Sequence, residues 1–329
     1  MVFIVICSIV SCIFSILGVY ALTKTLKQIL IDIPNERSSH TQPTPRGGGL
    51  GFILAFAVSA YLSQTLFNDP QIPFAYPLWL PLTFLVGVGC MDDWKNLSST
   101  LRYAVQLLVA CMIVWQGNAF PQPWLESLGT VGFLVAIATT IIGLTALVNF
   151  YNFMDGMDGL VGGVSAVQLG FMAVWSQEPV LWLLVSALVG FLYWNWSPAK
   201  IFMGDVGSTF LGAVMAITLL NQTGTVEQSW AALAITLPIT GDAIYTLCCR
   251  TLRGENIFKA HRSHVYQRLN QAGWSHGKVA ALYVGLTVVL ALLIYGYGGL
   301  GAWISLLGVA VSILIAERYL STRKQPLNH

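Results

Sequence analysis

Two asparagines and two aspartates recur at equal spacing between long apolar runs of this chain. They are Asn149, Asn152, Asp155 and Asp158. A spacing of three on a helical or 3₁₀ turn points side chains toward one side. Carboxylates at the edge of hydrocarbon are costly to desolvate, and converging oxygens suit Mg²⁺ or the donors of a nucleotide. The alternative is a polar loop that only turns the chain between two membrane helices.

Asp92 and Asp93 are adjacent carboxylates at the end of another apolar run. Like charges this close repel each other, which is tolerable where a cation or a proton is shared between them. One of them could bind metal or act as a base while the other orients it. The alternative is a solvated acidic helix end whose charge is balanced by Lys95.

Asp205 lies between two glycines at the start of a further apolar run, and Ser208 follows as a candidate cap for that helix. An aspartate here is either a metal ligand or only the N-cap that helix starts favour. Both interpretations fit the local sequence.

Arg46 is followed by three glycines that open an apolar run. Free backbone N–H groups at such a start, together with the arginine, could hold an anion. Glycine-rich helix starts also serve close helix packing, so the packing interpretation stays open.

The longest basic connection contains His261, His264 and Arg268. If this segment is helical, the three side chains share a face, which suits phosphate recognition. The alternative is an interfacial helix attracted to anionic lipid head groups. Its apolar stripe would consist of Ile257, Val265 and Leu269.

The elements that must position these residues are apolar helices. The chain has 329 residues, of which 56% are hydrophobic and 9% charged, whereas a soluble domain is about 25% charged. The apolar runs predict an all-α, polytopic integral membrane protein with about 11 transmembrane helices and one domain over residues 1–329. The runs lie near 2–22, 48–67, 76–91, 102–119, 129–148, 159–176, 180–195, 206–221, 229–249, 278–296 and 299–317.

The 16 lysines and arginines all fall in alternate connections between these runs, on the same side as the candidate residues. The other connections carry only acidic charge, on Asp69, Glu126, Glu178 and Glu227. By the positive-inside rule the basic side is cytoplasmic. The sequence therefore predicts cytoplasmic active-site loops, an external N-terminus and an internal C-terminus.

Taken together, these stretches resemble the polyprenyl-phosphate N-acetylhexosamine-1-phosphate transferases of glycosyltransferase family 4, integral-membrane enzymes that start bacterial envelope glycans. The matching motifs are Thr-Pro-Arg-Gly-Gly at 44–48, Asp-Asp at 92–93, Asn-x-x-Asn-x-x-Asp-Gly-x-Asp-Gly at 149–159, Gly-Asp-Val-Gly-Ser at 204–208 and the histidine segment at 261–269. The likeness covers nearly the whole chain and implies a multi-pass protein of the bacterial inner membrane. The histidine segment looks closer to the O-antigen-initiating branch than to the triple-histidine run of the peptidoglycan-precursor branch.

The resemblance implies that the phosphate of undecaprenyl phosphate attacks the β-phosphorus of a UDP-N-acetylhexosamine and displaces UMP. The sugar would be GlcNAc or a 6-deoxy sugar such as FucNAc or QuiNAc, for lipid-linked O-antigen (lipopolysaccharide) or a related envelope glycan. Mg²⁺, or Mn²⁺ in its place, would be the cofactor. A homodimer is left open, the lipid bilayer is the setting, and no nucleic acid is expected as a partner.

The resemblance also assigns roles to residues. Asn152 and Asp205 would hold the metal, and Asp155 and Asp158 would line the nucleotide side. Either Asp92 or Asp93 would take the proton from the lipid phosphate or orient it. Candidates for phosphate contacts are Arg46, Arg102, His261, Arg262 and His264, of which the two histidines count as catalytic. A direct displacement and a covalent aspartyl intermediate both stay open.

Three other functions compete with this interpretation. A phospho-N-acetylmuramoyl-pentapeptide transferase would use the same chemistry on a larger donor. A different membrane phosphotransferase would act on nucleotide-activated alcohols. A transporter should place its polar residues near the bilayer midplane, often within repeats, whereas here they cluster at one end of the runs.

Overall fold

The computed structural model describes residues 2–27, 29–34, 42–67, 76–117, 119–257, 259 and 261–323. Within these ranges nearly all regular structure is helical, which confirms the predicted all-α membrane fold. The helices are α1 (Val2–Leu26), α2 (Gly49–Phe67), α3 (Tyr76–Lys95), α4 (Ser99–Gln116), α5 (Gly129–Met154), α6 (Leu160–Trp175), α7 (Val180–Asn195), α8 (Asp205–Leu220), α9 (Val226–Leu233), α10 (Leu237–Leu252), α11 (Val265–Gln271) and α12 (His276–Arg323). Arg37, Asp69 and Lys324, which entered the charge pattern, lie outside the described residues.

Each predicted apolar segment overlaps a helix, and the number of helices that cross the bilayer stays a prediction. Four helical stretches of the described chain are long and apolar enough to cross it by length and composition, and shorter apolar helices accompany them. The four are Phe3–Leu26, Pro123–Met154, Val226–Leu252 and His276–Arg323. The third is α9 and α10 joined by a 3₁₀ turn at Ala234–Thr236.

Helix α12 contains the last two predicted segments, which are separated at Gly298. This residue has φ 56° and ψ −127°, a conformation outside the helical region that glycine adopts without a steric penalty. The prediction of two segments there agrees with this break.

Helix α8 forms the centre of the fold. All its residues from Val206 to Leu219 are buried, and it packs against α2, α3 and α5. The peripheral helices instead expose large apolar side chains, for example Leu17, Ile142 and Trp303, which are 58%, 65% and 68% exposed. An apolar exterior of this kind is what a lipid-facing surface requires.

The glycine run before α2 serves close packing. The N–H groups of Gly48 and Gly49 donate to the carbonyls of Phe202 and Met203 at 2.9 and 2.8 Å. A Cβ atom on Gly49 would lie 2.5 Å from the Cα of Gly207, so the two chains can touch only because both residues lack side chains. These amides are therefore already used within the fold, and the contacts favour the packing interpretation over an anion site.

Candidate active site

A cavity of about 270 Å³ opens where the C-terminal ends of α3 and α5 meet the N-terminal ends of α4 and α8. The segment that precedes α11 closes one side of it. Six of the predicted site residues line this cavity: Asp92, Arg102, Asn152, Asp205, His261 and His264. They come from five separate parts of the chain, so the fold brings together what the sequence keeps apart.

Arg102 joins the two carboxylates of the cavity. Its Nη1 lies 2.9 Å from Oδ2 of Asp92 and 2.9 Å from Oδ2 of Asp205. Asp92 also accepts the Leu97 N–H at 2.6 Å through Oδ1. The guanidinium is thus shared between two negative charges at the cavity wall.

Asp93 faces away from the cavity. Its carboxylate is buried and accepts the N–H groups of Asp205 and Val206 at 3.0 and 3.3 Å, so it caps the start of α8. Gly204 allows this approach with φ 78°, because a Cβ there would lie 2.5 Å from Oδ2 of Asp93. The cap of α8 is therefore neither Asp205 nor Ser208, and the Asp205 side chain is left for the cavity.

The acidic end of α3 is not the solvated end that the alternative interpretation assumed. Asp92 and Asp93 are 5% and 3% exposed, and the ammonium of Lys95 lies 4.8 Å from the centre of the Trp94 ring. Burial of two adjacent carboxylates is costly unless they have partners. Each has them, but on different sides of the helix.

The prediction that four polar residues share one side holds only for the first two. Asn149 and Asn152 lie on the last turns of α5 and line the cavity. Asn149 donates to Oε1 of Gln106 at 2.6 Å, and Asn152 donates to Oγ of Ser208 at 3.1 Å beside the Asp205 carboxylate. The helix ends at Met154, so beyond that residue a spacing of three no longer places side chains on the same side.

Asp155 and Asp158 occupy different surroundings beyond the helix end. Withdrawal from water and the charges of Asp205 and Asp93 raise the pKa of Asp155 well above its usual range. For Asp158, burial acts to raise the pKa, but a hydrogen bond to His276 and the charge of that ring lower it overall. Oδ1 of Asp158 lies 3.1 Å from Nδ1 of His276, and Oδ2 accepts the Ala199 N–H at 3.1 Å.

The helix that a shared face for His261, His264 and Arg268 would require does not cover the two histidines, because α11 begins only at Val265. The rings of His261 and His264 nevertheless meet at the cavity with centroids 4.9 Å apart. Arg268 points elsewhere and forms a bidentate pair with Glu317. Val265 is 3% exposed, so α11 packs in the core rather than lying on a lipid surface as the interfacial alternative required.

His261 is a neutral imidazole at physiological pH. Burial, the charge of His264 and the charge of Arg250 lower its pKa to about 4. Its Nδ1 lies 2.9 Å from Oγ of Ser263 and also faces the Ser263 N–H at 3.4 Å. Because a backbone N–H can only donate, Nδ1 accepts and Nε2 carries the proton.

Two predicted arginines lie outside the cavity. Arg46 donates through Nη2 to the carbonyl of Asp93 and to Oδ1 of Asn96. Arg262 lines a separate small pocket together with Arg250 and Arg253. The first therefore supports the end of α3, and the second faces the far side of the histidine segment.

Sequence reasoning missed several residues of the site. Lys259 and Gln106 line the cavity, and Asp242 of α10 lies behind His264, with Oδ1 3.3 Å from its Nδ1. A charged residue inside an apolar run was the available signal for Asp242. Lys259 stands among other basic residues and gave no such signal.

The donors around Asp205 fit a magnesium ion. The Asp205 carboxylate accepts a hydrogen bond from the Asn152 amide, so that amide would present its oxygen beside the carboxylate after turning over, and Asp92 shares a hydrogen bond with the same carboxylate. No group of three or more His, Cys, Asp or Glu able to hold a metal occurs among the described residues. One or two carboxylates completed by substrate phosphates and water is the arrangement that Mg²⁺ prefers.

A family model described as glycosyl transferase family 4 matches residues 76–222. That range contains α3 to α8 and hence most of the cavity wall.

Curated relatives extend the similarity beyond that range. A Bacillus subtilis protein named probable undecaprenyl-phosphate N-acetylglucosaminyl 1-phosphate transferase is 30% identical over 94% of this chain and 90% of its own length. Undecaprenyl-phosphate alpha-N-acetylglucosaminyl 1-phosphate transferase of Yersinia pestis is 29% identical over 80% of this chain and 76% of its length. Phospho-N-acetylmuramoyl-pentapeptide-transferase of Deinococcus deserti is 32% identical over 75% and 82%.

Proposed function

This chain belongs to the polyprenyl-phosphate N-acetylhexosamine-1-phosphate transferases of glycosyl transferase family 4, and from that premise we propose that it transfers an N-acetylhexosamine 1-phosphate from a UDP-sugar to undecaprenyl phosphate. The observation that carries the proposal is the cavity in which two carboxylates, a guanidinium, an ammonium, three side-chain amides and two imidazoles converge. Phosphoryl transfer needs charge neutralisation and in-line positioning more than covalent chemistry by the protein.

In the proposed reaction a phosphate oxygen of the lipid acceptor forms a bond to the β-phosphorus of the donor. The bond between that phosphorus and the oxygen bridging to the α-phosphate breaks, and UMP leaves with the bonding electrons. The product is a polyprenyl-diphosphate sugar. The cavity is lined by groups that can hold these phosphates, namely Arg102, Lys259 and the two histidines.

Asp92 is the carboxylate of the adjacent pair that we assign to the acceptor phosphate. It faces the cavity, whereas Asp93 is used in capping α8. A phosphate monoester has a second pKa near 6 and is largely dianionic at neutral pH, so the demand on a base is modest. Asp92 therefore acts mainly by holding the Arg102 guanidinium, which orients the acceptor phosphate.

His261 contributes a neutral donor to the same cavity. Since Nδ1 accepts from Ser263, its Nε2–H is available to a phosphate oxygen. Such a donor stabilises the developing negative charge by a hydrogen bond while the ring itself stays neutral.

We assign Mg²⁺ to Asp205 and Asn152, with Mn²⁺ as an alternative ion. When bound, the ion supplies positive charge that neutralises the diphosphate. Asp205 is available for this role because Asp93 caps the helix that Asp205 begins.

The proposed setting is the bacterial inner membrane with the cavity on the cytoplasmic side. Its support is the alternation of basic and acidic connections along the chain. The donor sugar is proposed to be GlcNAc or a 6-deoxy-N-acetylhexosamine, for O-antigen or a related envelope glycan. The segment His261-Arg-Ser-His264 supports this choice over the muramoyl-pentapeptide donor.

Release of UMP by membranes containing the protein tests the proposal. UDP-GlcNAc, UDP-FucNAc, UDP-QuiNAc and UDP-MurNAc-pentapeptide are each supplied with and without undecaprenyl phosphate. We expect UMP from an N-acetylhexosamine donor only when the acceptor is present. A matched control is Lys95→Ala, which removes a charge beside the site but outside the cavity. Turnover of only the pentapeptide donor, or of none, contradicts the proposal.

A further inference from the structure

Asp242 is a buried carboxylate that none of the motifs above contains. It lies within α10 and is 2% exposed. Oδ1 accepts the Val265 N–H at 2.9 Å and the Thr246 hydroxyl at 3.1 Å. Oδ2 accepts the Tyr266 N–H at 3.1 Å and the Tyr283 hydroxyl at 2.6 Å. A carboxylate held by donors from α10, α11 and α12 is fixed in one orientation.

The remaining contact of this carboxylate is with His264. Oδ1 lies 3.3 Å from Nδ1 of the ring, and the His264 side chain is itself buried while lining the cavity. The ring is also held between neighbouring aromatic groups, with centroids 4.9 Å from His261 and 5.7 Å from Tyr266. A carboxylate on one imidazole nitrogen fixes the proton there and leaves the other nitrogen for the ligand.

We infer that Asp242 is a positioning residue for the transfer reaction: it holds His264 as the Nδ1–H tautomer and aims Nε2 at a phosphate in the cavity. The orientation of the ring rests on the geometry, and the identification of its ligand as a phosphate rests on the proposed function. The two histidines then differ in which ring nitrogen carries the proton. His261 carries its proton on Nε2, whereas His264 presents an unprotonated Nε2 when neutral and a donor when charged.

The titratable groups that face His264 come from several elements. They are Asp242 on α10, Tyr266 on α11, Tyr283 on α12 through Asp242, and His261 on the preceding segment. On α5 the neighbour is Phe153, which carries no charge. Asp242 is the group among them that contacts a nitrogen of the ring.

A double-mutant cycle separates positioning from a purely structural role. Asp242→Asn keeps the shape and one acceptor oxygen of the side chain, but it removes the charge that fixes the tautomer. We expect kcat for UMP release to fall about 10- to 100-fold with KM for UDP-GlcNAc unchanged. In a His264→Gln background the same substitution should cause no further loss. The control Glu317→Gln breaks the pair that holds Arg268 of α11 without touching Asp242 or the histidine, and should retain kcat.

Wild-type turnover in Asp242→Asn, or an equal loss in the His264→Gln background, overturns the inference. If Asp242→Asn does not fold, ¹⁵N shifts of the His264 ring in the unmodified protein decide the matter. We expect a protonated Nδ1 and an unprotonated Nε2 in the neutral ring, and the opposite tautomer refutes the inference. This measurement needs no turnover, so it remains valid if the chain proves to catalyse a different reaction.

Discussion

Replacing Asp92 and Asp93 separately by asparagine tests the different roles that their surroundings give to two adjacent carboxylates. In Asp93→Asn the side chain keeps one acceptor oxygen but presents an NH₂ group to one of the N–H donors of Asp205 and Val206. A hydrogen bond to a charged group contributes about 1.5–3 kcal/mol. We expect this variant to lose about that much of the free energy of unfolding.

Asp92→Asn should change stability less and turnover more. An amide oxygen can still accept the Leu97 N–H, and Arg102 keeps Asp205 as a partner. Since Arg102 is 37% exposed, the lost ion pair is worth about 0–1 kcal/mol. The cavity loses the carboxylate assigned to the acceptor phosphate, so we expect kcat to fall about 10²-fold or more, with a smaller change in affinity for the UDP-sugar.

Thermal unfolding and initial rates of UMP release on the same purified samples make the comparison. Asp93→Asn should have the lower unfolding temperature, and Asp92→Asn the lower kcat per folded molecule. Lys95→Ala serves as the control for a charge change at this helix end. If the two variants lose stability equally, or if Asp92→Asn keeps wild-type turnover, the division of roles is refuted. Near-wild-type turnover in both removes the pair from the mechanism.

Three shorter predictions concern other parts of the chain. Asp205→Asn should abolish turnover or greatly raise the Mg²⁺ requirement without lowering the unfolding temperature, because Asp93 caps the helix; an unchanged Mg²⁺ optimum excludes the ligand role. The pKa of His261 is lowered to about 4, so as pH falls from 6.5 toward 4 the unfolded chain binds a proton that the folded chain does not, and the folded state loses stability. His261→Gln should lose less stability over that pH range, as measured by thermal unfolding. In a background without native cysteines, a cysteine at Glu178 should react with an impermeant thiol reagent from outside and one at Ser263 should not, and reversed labelling contradicts the cytoplasmic site.

The helices could be predicted from the sequence because a bilayer imposes a length and a composition on each of them. The break in α12 at Gly298 and the start of α8 at Asp205 both follow from local residues. Motif residues in the α3, α5 and α8 segments were likewise found together in one cavity. The helices and their ends depend on residues close together in sequence, whereas the grouping of the motif residues was expected because they all lie at the same end of the apolar runs.

The orientation of individual side chains could not be predicted in the same way. Asp92 and Asp93 are chemically identical neighbours, and only the position of α8 gives the second one its capping role. A helix that would place His261, His264 and Arg268 on one face does not form. Asp242, on the separate helix α10, accepts the N–H groups of Val265 and Tyr266, so that α11 begins only at Val265. In both cases a contact between segments that are distant in sequence determines the local structure, and no local sequence pattern reveals such a contact.

The charges of the cavity lead to a prediction about the order in which cation and donor bind. Arg102 and Lys259 only balance Asp92 and Asp205, His261 adds no charge at physiological pH, and a charge on His264 is balanced by Asp242. A diphosphate therefore enters a cavity without surplus positive charge, so it should bind tightly only together with Mg²⁺. Because coupling between two ligands is reciprocal, UDP-GlcNAc should raise Mg²⁺ affinity by the same factor, which we expect to be about tenfold or more. Titration calorimetry of UDP-GlcNAc with Mg²⁺ or with EDTA measures the coupling, and Asp205→Asn should weaken it. Equal affinity under both conditions would show that the protein's own cations are sufficient.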